Sequence, residues 1–194
     1  MKKIILITMV LFVFGYAPAM ANQWKVDPAH SAIVFEVKHI YATVSGRFSD
    51  FSGKVFFDPE NPGKSKFDFT VRVDSINTDN GKRDNHLRSP EFFDAAGYPV
   101  MSFKSTRVQK KDGNTYVLAG KLTVKDVTQE VQLEMTYWGE KQNPFDKKMM
   151  VSGFDIRFKI DRLSYHVGNG KFFEMGVVGK EVSVFASLEM IREK

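Results

Sequence analysis

The chain contains no cysteine, which excludes a disulfide framework, a lipid-attachment cysteine and the thiolate sites that bind structural zinc. Histidine is scarce and scattered, with neither HExxH spacing nor a helical HxxxH pair; the four are His30, His39, His86 and His166. No Gly-x-Ser-x-Gly motif occurs, and the neighbours His30 and Ser31 would lie on opposite faces of a strand. We therefore expect no metal, no catalytic residues and no enzymatic activity.

Long hydrophobic runs are also missing, apart from residues 4–16. That run is well short of the ~20 apolar residues that a membrane-spanning helix needs. Lys2 and Lys3 precede it and Ala19-Met20-Ala21 follows it, a pattern typical of a secretory leader. The sequence predicts a signal peptide, residues 1–21, cut after Ala21, and a single exported domain, residues 22–194, located in the periplasm or secreted.

Blocks of basic residues are absent as well. The formal net charge of +5 falls by two when Lys2 and Lys3 leave with the leader. The other lysines and arginines are scattered, without the basic stripe that nucleic-acid binding requires. We expect no nucleic-acid partner, whereas transient contact with an anionic membrane surface is compatible with this charge.

What the chain does contain is alternation of apolar and polar residues with a period of two, typical of half-buried strands. The alternating sets lie in residues 33–37, 67–73, 101–103, 116–124, 131–137, 150–160 and 182–190, with a less regular stretch over 47–57. One charged block, residues 81–94, interrupts them and predicts a short helix in the 80–95 region. The pattern predicts an all-β domain of about eight antiparallel strands, either a sandwich or a closed barrel.

The inward-facing residues are rich in Phe, Met and Leu, which an eight-stranded barrel accommodates either as a filled core or around one small ligand. From the pattern alone, a filled core is the simpler interpretation, because alternation reports burial and not a void. Gly46, Gly53 and the change of phase between Phe48 and Phe51 predict bulges or sharp bends in a curved strand.

Several segments resemble the YceI-like family of exported proteins over nearly the full mature length. The opening run Trp24 to Ser31 is similar to the start of that family. The further matching positions are Phe35, His39, Gly46, Phe48, Phe51, Gly53, Arg83, Asp84, His86, Leu87, Phe92, Phe93, Asp94, Tyr98, Pro99, Phe103, Gly120 to Thr123, Val127, Thr128 and Arg162. After Arg162 the chain departs from the family pattern, with Leu163 to His166 and a bulky Lys171 to Glu174 stretch.

The resemblance implies a lipocalin-like, eight-stranded antiparallel β-barrel that binds a polyisoprenoid or another long-chain amphipathic lipid, such as a fatty amphiphile, in its interior. It implies a carrier or sequestering protein that performs no chemistry and has no cofactor besides the bound lipid. If the segment after Arg162 lies at the barrel mouth, its departures predict a head-group or chain-length preference different from the family's.

Two groups of residues are the candidates for ligand contact. Arg83, His86 and Arg88 in the helical block could pair with a diphosphate or other polar head, or could instead hold the fold together. For Asp84, Phe92 and Phe93 we favour a structural role. The apolar lining is predicted to comprise Phe35, Val37, Phe69, Val71, Met101, Phe103, Leu122, Leu133, Met135, Phe154, Ile156, Phe158 and Leu188.

The alternative hypothesis is a non-enzymatic interaction protein with a barrel filled by its own side chains. Exposed aromatic residues such as Trp138 and Phe185 would then contact a protein partner. Phe185 and Ile191 on the outer face are also candidates for a homodimer contact. An interior void would discriminate between the two hypotheses.

Overall fold

The structure is a computed structural model that describes residues Gln23 to Lys194. The predicted leader and its cleavage site lie outside the described residues and stay predictions. The helices are α1 (Gly81–Arg88) and α2 (Lys171–Glu174), with short 3-10 turns at Pro62–Lys64, Val73–Ser75 and Arg162–Tyr165. The strands are β1 (Gln23–Val26), β2 (Ala32–His39), β3 (Ala42–Phe48), β4 (Phe51–Phe56), β5 (Lys66–Arg72), β6 (Ile76–Asn77), β7 (Val100–Asp112), β8 (Thr115–Val124), β9 (Val127–Gln142), β10 (Met149–Asp161) and β11 (Val178–Glu193).

The strands close into one ring. β1 and β2 are two halves of a broken strand, and both pair with β11, at Lys25–Ile191 and at Phe35–Val184 respectively. β4 and β3 pair with those same halves in turn, and the order continues through β5, β7, β8, β9 and β10 back to β11. Every pairing is antiparallel, so the predicted eight-stranded antiparallel barrel with one short helix near residues 80–95 is confirmed.

The predicted bend in the second barrel strand is present, but Gly46 and Gly53 do not form it. The strand breaks at Ser49 and Asp50, between β3 and β4, where the apolar phase changes. Gly46 and Gly53 are not bulged, because each lies in regular register opposite a Phe. A Cβ at either glycine would overlap the ring of Phe35 or Phe69. The glycines therefore make room for these two rings against the barrel wall.

The two ends of the barrel differ. At one end, which we call the packed end, aromatic rings fill the interior: Phe57 lies 5.2 Å from Tyr116 and 5.3 Å from Phe154, between ring centroids. Both Gln23 and Lys194 lie at this end. The opposite end, the capped end, is covered by α1, the turns after it and the segment 162–177.

Helix α1 is short because both of its ends are specified locally. The side chain of Asn80 caps the first turn by accepting a hydrogen bond from the Arg83 backbone N–H at 3.0 Å. Ser89 precedes Pro90, which disfavours helical backbone at Ser89, and the helix ends at Arg88. The turns that follow carry Phe92 and Phe93 over the barrel opening. Helix α2 occupies the bulky 171–174 stretch, in the part of the chain that departs from the family pattern.

Candidate functional site

An apolar cavity of about 200 Å³ lies between the packed end and the cap. Many of its wall side chains, such as Phe35, Val37 and Phe158, point inward and are still only half-buried, because a hollow interior leaves them uncovered. The structure places eleven of the predicted residues in the wall: Phe35, Val37, Phe69, Val71, Met101, Phe103, Leu122, Leu133, Ile156, Phe158 and Leu188. Whether they contact a ligand stays a prediction.

Met135 and Phe154 do not line the cavity, although they face inward as predicted. Both are almost completely buried in the aromatic cluster of the packed end. The alternation of a strand assigns its residues to a face, but it does not report how far along the barrel axis each residue lies. These two belong to the filled part of the interior.

Several wall residues were not on the predicted list. Val182, Val184 and Ala186 belong to the clean alternation of β11, so this signal was present in the sequence. Tyr165 and Val167 come from the irregular 162–167 segment, where no period indicates a face. The remaining wall residues include the cap side chains Leu87, Phe92 and Phe93.

The cap is held by aromatic contacts. The ring of Phe92 stacks on Phe172 at 5.9 Å, and Phe93 meets Phe48 edge-on at 6.0 Å, both between centroids. His86 packs against Phe92 at 4.9 Å and its Nε2 lies 2.7 Å from a Glu91 carboxylate oxygen. The position of Phe92 and Phe93 in the cap agrees with the structural role that we favoured for them.

The three head-group candidates lie outside the cavity wall. The Arg83 guanidinium donates from Nε to the Thr78 hydroxyl and from Nη2 to the Thr78 carbonyl, each at 2.7 Å. Arg88 donates to the carbonyls of Asp74 at 2.8 Å and Ile76 at 2.6 Å. His86 contacts Glu91 as described above. The partners of Arg83 and Arg88 tie α1 to the chain before it, whereas Glu91 lies after the helix. These contacts favour the structural interpretation of the block.

Asp84 also contacts Thr78, the partner of Arg83. Its carboxylate is buried and accepts hydrogen bonds from both the backbone N–H, at 2.9 Å, and the hydroxyl of Thr78. The same hydroxyl accepts from Arg83 Nε, so Asp84 and Arg83 are joined through Thr78. This agrees with the structural role that we favoured for Asp84.

Replacing Arg83 by alanine is expected to lower the free energy of unfolding by about 1–2 kcal/mol, because two charged hydrogen bonds to Thr78 are lost. Affinity for a prenyl diphosphate and for the matching prenyl alcohol should fall by equal factors. Thermal unfolding and parallel titrations with the two lipids check this. A selective loss for the diphosphate would restore Arg83 as a head-group contact.

Arg162 is the cationic residue of the wall, and it is 5% exposed. It donates hydrogen bonds to three carbonyls: Val167 at 2.7 Å, Gly179 at 2.8 Å and Val178 at 3.3 Å. Gly168, with φ of +85°, lets the chain pass closely, since a Cβ there would lie 2.5 Å from Arg162 Nη1. Burial lowers the pKa of Arg162. Its donors join β11 to the segment 162–167.

Beside it, Tyr165 is 1% exposed, and its hydroxyl has no hydrogen-bond partner among the described residues. Burial raises the pKa of this phenol. Apart from Arg162, Tyr165 and Ser102, the wall residues carry only apolar side chains. An interior of this kind favours an apolar ligand and offers no carboxylate or histidine for acid–base work.

One group of side chains within residues 23–194 has the geometry to hold a metal ion, and it lies on the outer surface. It comprises Asp27, His30 and Glu189, whose candidate ligand atoms lie within 4.8 Å of one another. His30 Nδ1–H donates to Asp27 at 2.8 Å, and Glu189 lies 3.7 Å from the same nitrogen. Hydrogen bonding to Asp27 raises the pKa of His30, and the same bond lowers the pKa of Asp27.

The Asp27–His30 pair is expected to stabilise the fold only within a window of pH. Because the pKa of His30 is raised above 6.5, its contribution is complete below pH 6.5 and disappears as the pH rises through the elevated value. Because the pKa of Asp27 is lowered below 3.8, the contribution of this carboxylate is complete above pH 3.8 and disappears as the pH falls from there through the lowered pKa. An NMR titration of His30 checks this, and in D27N the histidine should titrate at lower pH than in the wild type. An unchanged titration in D27N would contradict the pairing.

The exposed aromatics of the alternative hypothesis have different surroundings. Trp138 is 65% exposed near the packed end. Phe185 is half-buried, because the Arg157 guanidinium lies 3.7 Å above its ring. Ile191 is also half-buried, at the register position opposite Lys25. No helix in the described range 23–194 is both long and apolar enough to cross a membrane.

Comparison with known proteins identifies the family of this chain. The model of the YceI-like domain matches residues 24–190. The chain belongs to the YceI-like family. Curated relatives called Protein YceI, from Escherichia coli O157:H7 and from Salmonella arizonae, are each 33% identical over 198 aligned positions that cover 100% of both chains. The predicted family resemblance is therefore confirmed.

Solved structures agree on the barrel of this YceI-like chain. Burkholderia cenocepacia BcnA superposes with a TM-score of 0.77 at 26% identity, covering 86% of this chain and 99% of that one. Campylobacter jejuni YCEI protein gives 0.67 at 27% identity, covering 81% and 89%. A Saccharophagus degradans polyisoprenoid-binding domain implicated in plant cell wall breakdown gives 0.64 at 15% identity, covering 86% and 97%, a likeness of fold alone.

Proposed function

We propose that this YceI-like protein binds a polyisoprenoid or similar long-chain amphipathic lipid inside its barrel and carries or sequesters it without chemistry. The apolar cavity between the packed end and the cap is the observation that supports this proposal. Burying each CH₂ of a lipid tail contributes on the order of 0.8 kcal/mol, so an interior free of acidic side chains and histidine suits a hydrocarbon. The Saccharophagus degradans neighbour, described as polyisoprenoid-binding, supports the fold that such binding uses.

The cavity must widen before it can hold a long chain. Its volume of about 200 Å³ lies below the roughly 300–1,000 Å³ of pockets that enclose drug-sized ligands. At the packed end, the fully buried rings of Phe67 and Phe154 limit the depth. At the capped end, Phe92 and Phe93 lie on turns outside the barrel strands, and each of their aromatic contacts contributes about 0.5–1.5 kcal/mol beyond the area that it buries. We therefore expect the cap, and not the packed end, to open for the lipid.

Native mass spectrometry tests this proposal on protein purified without detergent from its own exported compartment. A stoichiometric adduct, extracted into organic solvent and identified as a long-chain isoprenoid, would establish the function and name the ligand. A bare polypeptide mass that stays unchanged after incubation with prenyl lipids would overturn it. That outcome would favour the alternative, a protein partner at exposed aromatics such as Trp138.

The same preparation tests the proposed location in the periplasm or outside the cell. Its amino terminus should begin at Asn22, because the leader is expected to be cut after Ala21. An intact Met1 in the fractionated protein would contradict both the leader and the location.

A further inference from the structure

Four large apolar side chains are exposed together at the capped end, and we call them the rim patch. They are Ile40 at 55%, Tyr41 at 99%, Phe173 at 42% and Met175 at 62% exposure. Ile40 and Tyr41 form the turn between β2 and β3, while Phe173 and Met175 belong to α2 and its C-terminus. The Ile40 backbone N–H donates to the Val177 carbonyl at 3.0 Å, so the two segments lie side by side.

Ile40 adopts a backbone conformation in this turn that is unusual for its residue type. Ile40 has a φ of +52°. Among the non-glycine residues of the range 23–194 that have a positive φ, it alone is β-branched. Left-handed backbone is unfavourable for a β-branched residue, and glycine or asparagine is the ordinary choice at such a position. Ile40 is 55% exposed, so packing offsets only part of this cost. Residues kept in such a conformation cluster at binding and switch sites.

The rim patch continues into the cavity wall. His39 pairs with Val178, and Val178 lines the cavity. Val182 and Val37, which face each other in the next part of the same strand pair, also line it. The rim patch therefore lies at the end of the β2–β11 pair whose inward residues Val178, Val182 and Val37 line the cavity, although His39, Lys180 and Glu181 of the same strands are polar and exposed.

The charges beside the patch are mainly basic. Lys38 and Lys171 are exposed, and the Lys180 ammonium lies 5.7 Å from the centroid of the Phe173 ring. Lys180 pairs with Asp161 at 3.4 Å, and the neighbouring Glu181 pairs with Lys159 at 2.8 Å. Lys38 and Lys171, against Glu174 on α2, then give the surroundings of the patch their basic excess. Apolar and aromatic tips bordered by lysines are suited to a bilayer surface with anionic head groups. Gln23 and Lys194 lie at the opposite end, so neither end of the described chain emerges beside the patch.

We infer that the rim patch docks the capped end of the barrel onto an anionic phospholipid bilayer, so that lipid passes between membrane and cavity along β2 and β11. This inference rests on the proposed lipid-carrier function and names the partner from which the cargo comes. Tyr41, with its ring below the head groups and its hydroxyl among them, would lie at the interface where amphipathic aromatics concentrate.

Vesicle flotation of the mature protein tests this docking. Wild-type protein should float with vesicles of phosphatidylcholine and phosphatidylglycerol at 7:3 and much less with phosphatidylcholine alone. The double variant Ile40→Asn, Tyr41→Ser should bind the mixed vesicles roughly tenfold or more weakly, because two apolar side chains no longer insert. Asparagine tolerates the left-handed backbone, so this variant should unfold no earlier than the wild type and its loss cannot be ascribed to misfolding.

The matched control is Trp138→Ser, Phe145→Ser, which removes two comparably exposed aromatics, at 65% and 97% exposure, near the packed end. Vesicle binding should not change in this control. Equal losses in both double variants, or no loss in the rim variant, would overturn the inference. If the rim variant instead dissociated a dimer seen by ultracentrifugation, without wild-type vesicle binding, the patch would bind a second copy and the inference would again fail.

Delivering a prenyl lipid from cyclodextrin, without vesicles, separates this inference from the proposed function. The rim variant should take up this lipid as well as the wild type does. Uptake by the wild type without vesicle docking would overturn the inference and leave the carrier function standing. Failure of the wild type to take up the lipid from either source would overturn both.

Discussion

Replacing Ala186 by phenylalanine should lower lipid affinity by at least about a hundredfold while the protein stays folded. Ala186 faces the cavity from the middle of β11, between Ile33 and Ile156. A void of about 150 Å³ accommodates one benzene molecule, so a phenyl ring there would fill most of a cavity of about 200 Å³. Excluding a single five-carbon isoprene unit costs about 4 kcal/mol, at 0.8 kcal/mol for each carbon.

Stability should change little in this variant, by less than about 1.5 kcal/mol, because the ring enters existing space. The matched control is Ser183→Phe, three residues earlier on the outward face of the same strand. Titration of delipidated protein with a prenyl lipid, alongside thermal unfolding, measures both effects. Normal uptake by a folded A186F protein would show that the lipid binds elsewhere and would remove the cavity from the proposal.

Replacing Arg162 by alanine should cause a large loss of stability, about 3–5 kcal/mol. The guanidinium donates to the carbonyls of Val167, Val178 and Gly179, and without it these acceptors lose their charged partner. The cavity wall would also lose a buried side chain beside Tyr165. We expect ligand affinity to fall as well, because the segment 162–167 would no longer be fastened to β11.

Two further variants separate the hydrogen bonds of Arg162 from its bulk. Arg162→Met keeps most of the volume and should be nearly as unstable as alanine if the donors matter. Arg162→Lys keeps the charge, but a single ammonium cannot reproduce the guanidinium fork, so it should recover only part of the loss. Urea unfolding of the three variants gives the comparison. A methionine variant as stable as the wild type would contradict the role assigned to these hydrogen bonds.

The barrel itself could be read from the sequence because its signal is local. Alternation with a period of two assigns each residue to one face. The candidates that it gave on β10 and β11 do face the interior: Phe154, Ile156, Phe158 and Leu188. Asn80 and Pro90 likewise mark the two ends of α1 through short-range effects on the backbone. Family motifs spread along the chain pointed to the same fold, and the match over residues 24–190 confirmed the family.

Depth along the barrel axis could not be read in this way. Met135 and Phe154 alternate in the same manner as Leu133 and Ile156, yet the first pair lies in the packed end and the second lines the cavity. That difference depends on the register between strands, which the pairings of the whole ring decide together. The role of Gly46 could not be predicted either, because strand pairing, and not proximity in the chain, brings the Phe35 ring against it.

The sequence by itself therefore determined the class of fold, the inward face of the regularly alternating strands and the family. Only the tertiary structure decided where the interior is filled, that Arg83 and Arg88 bond α1 to neighbouring backbone, and that Ile40 and Met175 share one surface. The physical reason is range: alternation and helix caps act over a few residues, whereas cavities and surface patches depend on contacts between residues far apart in the chain.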